Sequence, residues 1–314
     1  MKHDLNVVIG VFAYKRAKHL AILLDSLALN RSSLDIPLRI YIDGPKGDDD
    51  IQLTSQVLHE ASRPRGFSSV EIIPRPTNLG LYASITLGVS ELLQEFEAAI
   101  IFEDDLLLSA YCIDYFLKAL TIYQRDDLVA SIHAWTPSIR SKLPDTFFLR
   151  GAECWGWATW RSKWSLFRHD AANMVEEMKN QNLIDEFNYF GGYDYFQMLQ
   201  DRANNINNSW AICWRASCFL ANKLTLHPST TLVENIGCDY SGEHCGPDPL
   251  LQSKLSDWKP NVEPVVVVED SLAYRAYCNY FKSFITSSPV MVRLKKKLKQ
   301  LLSLFDIIRP FQVN

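Results

Sequence analysis

Two rhythms of hydrophobic and polar positions alternate along the first 125 residues. Residues 6–13 (NVVIGVFA) are almost wholly apolar and rich in β-branched side chains, the pattern of a buried strand. Residues 17–29 then set Leu20, Leu23, Leu24 and Leu27 at helical spacing. The pair recurs, with strands at 38–42, 70–73 and 98–102 and helices at 51–61, 81–96 and 111–123. Such alternation predicts an α/β fold with a mostly parallel central sheet flanked by helices. In these sheets ligands bind beyond the carboxyl ends of the strands.

From about residue 130 the pattern changes. Strand-like pieces at 128–135 and 146–151 precede Trp155, Trp157, Trp160 and Trp164, and a polar helix-like stretch covers 170–188. The segment GGYDY (191–195) opens another helix through Leu199, and 227–250 reads as loop-rich. Residues 265–268 (VVVV) read as an edge strand.

Composition narrows the class. With 47% hydrophobic and 22% charged residues, the chain is neither disordered, collagen-like nor a coiled coil. At 314 residues it can bury a core without a disulfide or zinc staple. The net charge of -4 hides two populations. Residues 291–314 carry six basic side chains against Asp306, which leaves the rest of the chain at -9. An acidic body argues against general nucleic-acid binding. The tail sets Val292, Leu294, Leu298, Leu301, Leu302, Phe305 and Ile308 against its lysines and arginines. That is a basic amphipathic helix, suited either to an anionic membrane surface or to packing on the domain. Seven scattered cysteines without a C-x-x-C pair read as free thiols, and His244-Cys245 lacks a second ligand pair for zinc. No secretory or membrane-spanning segment is read, so a cytoplasmic protein, peripheral on the inner membrane face if the tail binds there, is expected.

The chemistry gathers where strands end. Asp43 follows the second strand, and Glu103-Asp104-Asp105 follows the fully apolar AAIIF. Three adjacent carboxylates repel one another, and a Mg²⁺ or Mn²⁺ ion is the natural compensation. A solvated acidic turn is the plainer alternative.

In this context AAIIFEDDLLLSAYCIDYFLKAL (98–120) resembles the metal-binding segment of GT-A glycosyltransferases, above all the N-acetylglucosaminyltransferase I family. VFAYKRAKHLAILLDSL (11–27), YIDGP (41–45), NLGLYASITLGVSELL (78–93), SIHAWTP (131–137), FLRGAECWGWATW (148–160) and GGYDYF (191–196) resemble further pieces in the family's order. The WGWATW and LVENIG runs are similar to those of bacterial surface-polysaccharide sugar transferases.

The resemblance covers about residues 6–246. It implies a Rossmann-like, nucleotide-diphospho-sugar-binding half at 1–125, an acceptor and catalytic half at 126–270 and a helical tail at 271–314. Asp105 would ligate the metal, and Glu103 and Asp104 would contact ribose, donor sugar or metal-bound water. Asp43 would accept from the base or ribose, Arg16 would approach the diphosphate or base, and Asn78 and Gly80 would line the nucleotide pocket. For Asn78 and Gly80 an ordinary helix cap and turn is the alternative.

Inverting transfer to a saccharide or lipid-linked acceptor requires a base. Asp194 is the candidate, with Glu153 and Glu234 in reserve and a helix-terminal acid as the alternative. Here the chain departs from the family, whose segment has adjacent acids where Tyr195 follows Asp194. Trp135, Trp155 and Trp157 are candidates for stacking on acceptor sugars, against a core role. His133 is a further acceptor candidate, and Asn235, Gly237 and His244 lie in a loop expected over the diphosphate. A phosphohydrolase would require a D-x-D pair, a nucleotidyltransferase a Gly-rich phosphate loop, and a non-catalytic carbohydrate-binding protein would leave Glu103-Asp104-Asp105 without a task.

Overall fold

A computed structural model describes residues 5–238, 253–255 and 258–287. Strands are β1 (Val7–Ala13), β2 (Leu38–Ile42), β3 (Val70–Pro74), β4 (Ala98–Glu103), β5 (Leu106–Leu108), β6 (Val129–His133), β7 (Thr146–Arg150), β8 (Trp157–Trp160), β9 (Leu224–Pro228) and β10 (Val233–Asn235). Helices are α1 (Ala17–Leu29), α2 (Asp48–Ala61), α3 (Gly80–Glu95), α4 (Cys112–Tyr123), α5 (Arg161–Trp164), α6 (Ala171–Asn180), α7 (Ile184–Phe187), α8 (Tyr195–Ala203), α9 (Trp210–Leu220) and α10 (Ser271–Ser287).

Eight strands form one sheet in the order β3-β2-β1-β4-β8-β6-β9-β7. The first four are mutually parallel, as the alternation predicts. The β8 strand then runs antiparallel to both β4 and β6, so both halves belong to one sheet. Period-two alternation splits the core between two faces. Ile9, Val11, Ile100, Phe102 and Trp160 pack with α1 and α4 on one face. Val8, Phe12, Ile101 and Trp157 pack with α3 and α9 on the other. Every residue of β1 is buried, which fits its central place between β2 and β4.

Two sequence expectations are corrected. Residues 170–188 are two helices, because the chain turns at Asn182 with φ 56°, in the left-handed region. Residues 265–268 form no strand; Val265 N donates to Tyr123 OH at 3.0 Å, and the neighbouring Glu269 makes an isolated bridge with Phe148. Within the loop-rich span 227–250, β9 ends and the short β10 pairs with β5. Helix α9 had no counterpart in the sequence reading, because its apolar run surrounds the helix instead of marking one stripe. The tail beyond Ser287 lies outside the described residues, as do His244 and Cys245. Among the described residues no helix is long and apolar enough to cross a membrane.

Candidate active site

The carboxyl ends of β1, β2 and β4 open into one cleft of about 330 Å³. Its walls include Arg16, Asp43, Asn78, Gly80, Glu103, Asp104 and Asp105 from the first half of the chain. Trp135, Glu153, Trp155, Tyr195, Trp210 and Arg215 come from the second half. Side chains far apart in sequence thus meet where the topology predicts a ligand.

Backbone pairing carries the acids there. Asp104 N donates to Phe12 O at 3.0 Å, extending the β1–β4 ladder by one residue. Arg16, next to β1, forms ion pairs with Asp104 and with Asp105, the latter at 3.0 Å. Burial works against the charge on Arg16, but the two aspartates outweigh it and hold the guanidinium charged. Burial, and then Asp105 and Asp104, push the Glu103 carboxyl up to about 8, while Trp210 hydrogen-bonds to it.

The loop after β10 roofs this group. Asn235 pairs with Leu106, and Ile236 N donates to Asp105 O at 2.8 Å. A Cβ on Gly237 would stand 2.4 Å from Asp105 Oδ2 and 2.9 Å from Arg16 Nη1, so the roof needs glycine. Asn235 and Gly237, expected over a diphosphate, lie beside the acidic group. Glu234 faces elsewhere and accepts from Leu255 N at 3.4 Å.

Asp43 has a different task from the one expected. Its two oxygens accept from Gly44 N at 2.9 Å, Leu79 N at 2.8 Å, Gly80 N at 2.9 Å and Asn78 Nδ2 at 3.1 Å. A carboxylate has about four acceptor sites. With all four engaged, Asp43 clamps the end of β2 to the start of α3, where Gly80 takes φ 75°. Asn78 and Gly80 line the cleft through this clamp.

The far wall is aromatic. Trp135 and Trp155 meet edge to face at 5.2 Å between ring centroids, and Trp155 is half-buried. Trp157 does not join them. It is the first residue of β8 and faces the α3 and α9 side of the sheet, where it is wholly buried against Trp164, Trp210 and Trp214, while Trp155 stays in the preceding loop. It is a core residue and is withdrawn from the acceptor set.

Asp194 is also elsewhere. Its carboxylate caps α8 by accepting from Gln197 N at 3.2 Å, and it also accepts from Asn188 Nδ2. It is exposed and is not part of the cleft wall, although Tyr193 and Tyr195 on either side are. The second-half carboxylate inside the cleft is Glu153, ion-paired with Arg215. Tyr195 OH lies 3.5 Å from the same Glu153 oxygen. Arg215 is 3% exposed and lies 3.8 Å from the centre of the Tyr195 ring. Burial lifts the Glu153 carboxyl above its usual range, and Arg215 only partly opposes it.

His133 also lines the cleft and approaches His227, behind it, at 3.5 Å. Burial holds both neutral: His133 falls well below its ordinary value, and His227, with Arg215 nearby, falls to about 3.

Arg215 and Trp210 are not among the sequence candidates, and Tyr195 enters there only as the neighbour of Asp194. One signal existed for Arg215. It is the sole charge in the apolar run WAICWRASCFL, and a charge so placed requires a buried partner.

No family model matches the chain. No curated protein matches its sequence. Among solved structures, residues 1–349 of S. aureus TarS are 12% identical over 57% of this chain, with a TM-score of 0.33. The chain covers 50% of that fragment, which has also been solved with UDP. An active-site mutant of LgtC is 14% identical over 55% of this chain and 64% of its own, with a TM-score of 0.31. Mannose-1-phosphate geranyltransferase from Thermus thermophilus is 11% identical over 71% of this chain and 74% of its own, with a TM-score of 0.36. These likenesses are slight, and the functional reading rests on the cleft itself.

Proposed function

We propose that the chain is a GT-A-type glycosyltransferase. It moves a sugar, with inversion, from a nucleoside-diphosphate donor to a saccharide or lipid-linked acceptor, in surface-polysaccharide or glycan assembly. One observation carries the reading. The Glu103-Asp104-Asp105 triad, Arg16 and the Asp43–Asn78–Gly80 turn converge at the carboxyl ends of parallel strands, opposite an aromatic wall holding a carboxylate.

The donor atoms are carboxylate oxygens, the type a hard divalent cation takes, and Asp105 borders the cleft; among the described residues no group of three or more ligating side chains is gathered in advance. Asp105 would hold Mn²⁺ or Mg²⁺, and the ion when bound neutralises charge that develops on a leaving diphosphate. Arg16 supplies a second positive charge beside the same position. Glu103 and Asp104 face the ribose and donor sugar. The Asp43 clamp fixes Asn78 and Gly80, so the nucleotide meets a preset turn. Trp155, half-buried at the cleft, offers a ring face to the apolar C–H face of a pyranose, and the buried Trp135 backs it edge to face.

The base is a choice between two carboxylates. The structure favours Glu153, because it lines the cleft and its carboxyl is raised, the direction a general base requires. Asp194 on the rim is the second reading, since it lies between two cleft tyrosines. A panel of nucleotide-sugars with Mn²⁺ and mixed saccharide acceptors identifies turnover, after which two variants separate the carboxylates. Glu153→Gln is expected to cut kcat by roughly 10²–10⁴-fold with donor binding kept, and Asp194→Asn to stay within about tenfold. The reverse pattern returns the base to Asp194. No transfer with any donor would overturn the function.

Contact with a membrane-borne acceptor is assigned to residues 291–314. Deleting them is expected to reduce binding to anionic liposomes, and unchanged binding would give the tail a packing role instead.

A further inference from the structure

Arg16 holds the two carboxylates that the cation reading assigns to metal and donor. Its Nη2 reaches Asp104 Oδ1 and, at 3.0 Å, Asp105 Oδ2. The Asp104 and Asp105 residues are 3% and 8% exposed, so this is no solvated surface pair. The Arg16 side chain keeps only 18% of its surface. Its Nη1 lies beneath Gly237 and has no hydrogen-bond partner among the described residues.

A divalent ion on Asp105 would add two positive charges within a few ångströms of this guanidinium. In a partly buried site such repulsion is weakly screened. The ion and Arg16 therefore compete for one carboxylate. A diphosphate entering the cleft changes the balance, because it offers the guanidinium a bidentate anion in exchange for Asp105.

We infer that Arg16 is a resident counter-ion of the cation site. It neutralises Asp104 and Asp105 while the cleft holds no nucleotide, and it releases Asp105 when a nucleoside diphosphate arrives. Cation and nucleotide then bind as a cooperative pair, and each tightens the other by the same factor. Arg16 acts through the aspartates and is a positioning residue. The inference rests on the cation reading above.

The test is Mn²⁺ binding to the full chain, followed by electron paramagnetic resonance of free Mn²⁺, alone and with UDP, GDP, CDP or ADP. Wild type is expected to bind Mn²⁺ weakly alone and roughly tenfold or more tightly with the matching nucleotide. Arg16→Gln is expected to bind Mn²⁺ alone about tenfold more tightly than wild type, with the nucleotide effect reduced. Arg16→Lys, which keeps the charge, is expected to resemble wild type. An arginine that only braces the aspartates would give the opposite sign, so Mn²⁺ affinity in Arg16→Gln that is unchanged or weaker overturns the inference. The cation reading is judged separately through Asp105→Asn. Mn²⁺ binding that survives that change, or is absent from every protein with every nucleotide, removes the cation reading and this inference with it.

Discussion

At the scale of residues, the cleft shows how neighbours redirect a side chain's chemistry. Asp43 and Asp105 both follow parallel strands, yet Asp43 is saturated by N–H donors while Asp105 is held by one arginine. Composition and spacing could place both at the mouth of a site. They could not distinguish them, because three of the four donors to Asp43 lie 35 to 37 residues onward, in a turn whose geometry is tertiary. The buried histidines make a residue-scale prediction. Folding pulls His227 from 6.5 to about 3. Between those values the unfolded chain binds a proton that the folded chain refuses, so stability is full above about 6.5 and is lost as pH falls toward 3. From about pH 7 to about pH 4.5 this one imidazole is expected to account for roughly 2–3 kcal/mol. Urea unfolding midpoints across that range should fall more steeply for wild type than for His227→Gln. Equal slopes would show that the imidazole titrates freely in the fold.

At the scale of elements, helix caps and strand faces decide which candidates survive. Asp194 is legible as either a catalytic base or a helix terminus, and its carboxylate caps α8 through Gln197 N. Asp194→Ala is therefore expected to cost about 1 kcal/mol of stability and Asp194→Asn close to nothing, since Asn caps as well as Asp. Thermal or urea denaturation reads this directly, and equal stability of the Ala variant would remove the cap role. The Trp-rich segment shows the same limit. A spacing of two residues placed Trp155 and Trp157 on a shared surface only if both belonged to one strand. The β8 strand begins at Trp157, so Trp155 stays in the loop at the cleft and Trp157 enters the core. The β8 strand was hard to read because its neighbours are the distant β4 and β6, not the elements adjacent in sequence.

At the scale of the whole molecule, one sheet carries both halves. The parallel half was legible from periodicity alone, since β1 to β4 alternate with helices and each strand is apolar. The second half was not, because β8 inserts between β4 and β6 and β7 lies at the edge beyond β9. That insertion brings Glu153, Trp155 and Arg215 across from the acidic triad. The central claim is that this shared cleft binds a nucleoside diphosphate together with a cation on Asp105. The most direct measurement is a thermal-shift series with UDP, GDP, CDP and ADP, each with and without Mn²⁺, on wild type and Asp105→Asn. One nucleotide is expected to raise the melting temperature of wild type by several degrees only when Mn²⁺ is present, and this gain should vanish in Asp105→Asn. No shift with any nucleotide, or a Mn²⁺-dependent shift that persists without the Asp105 carboxylate, would contradict the account.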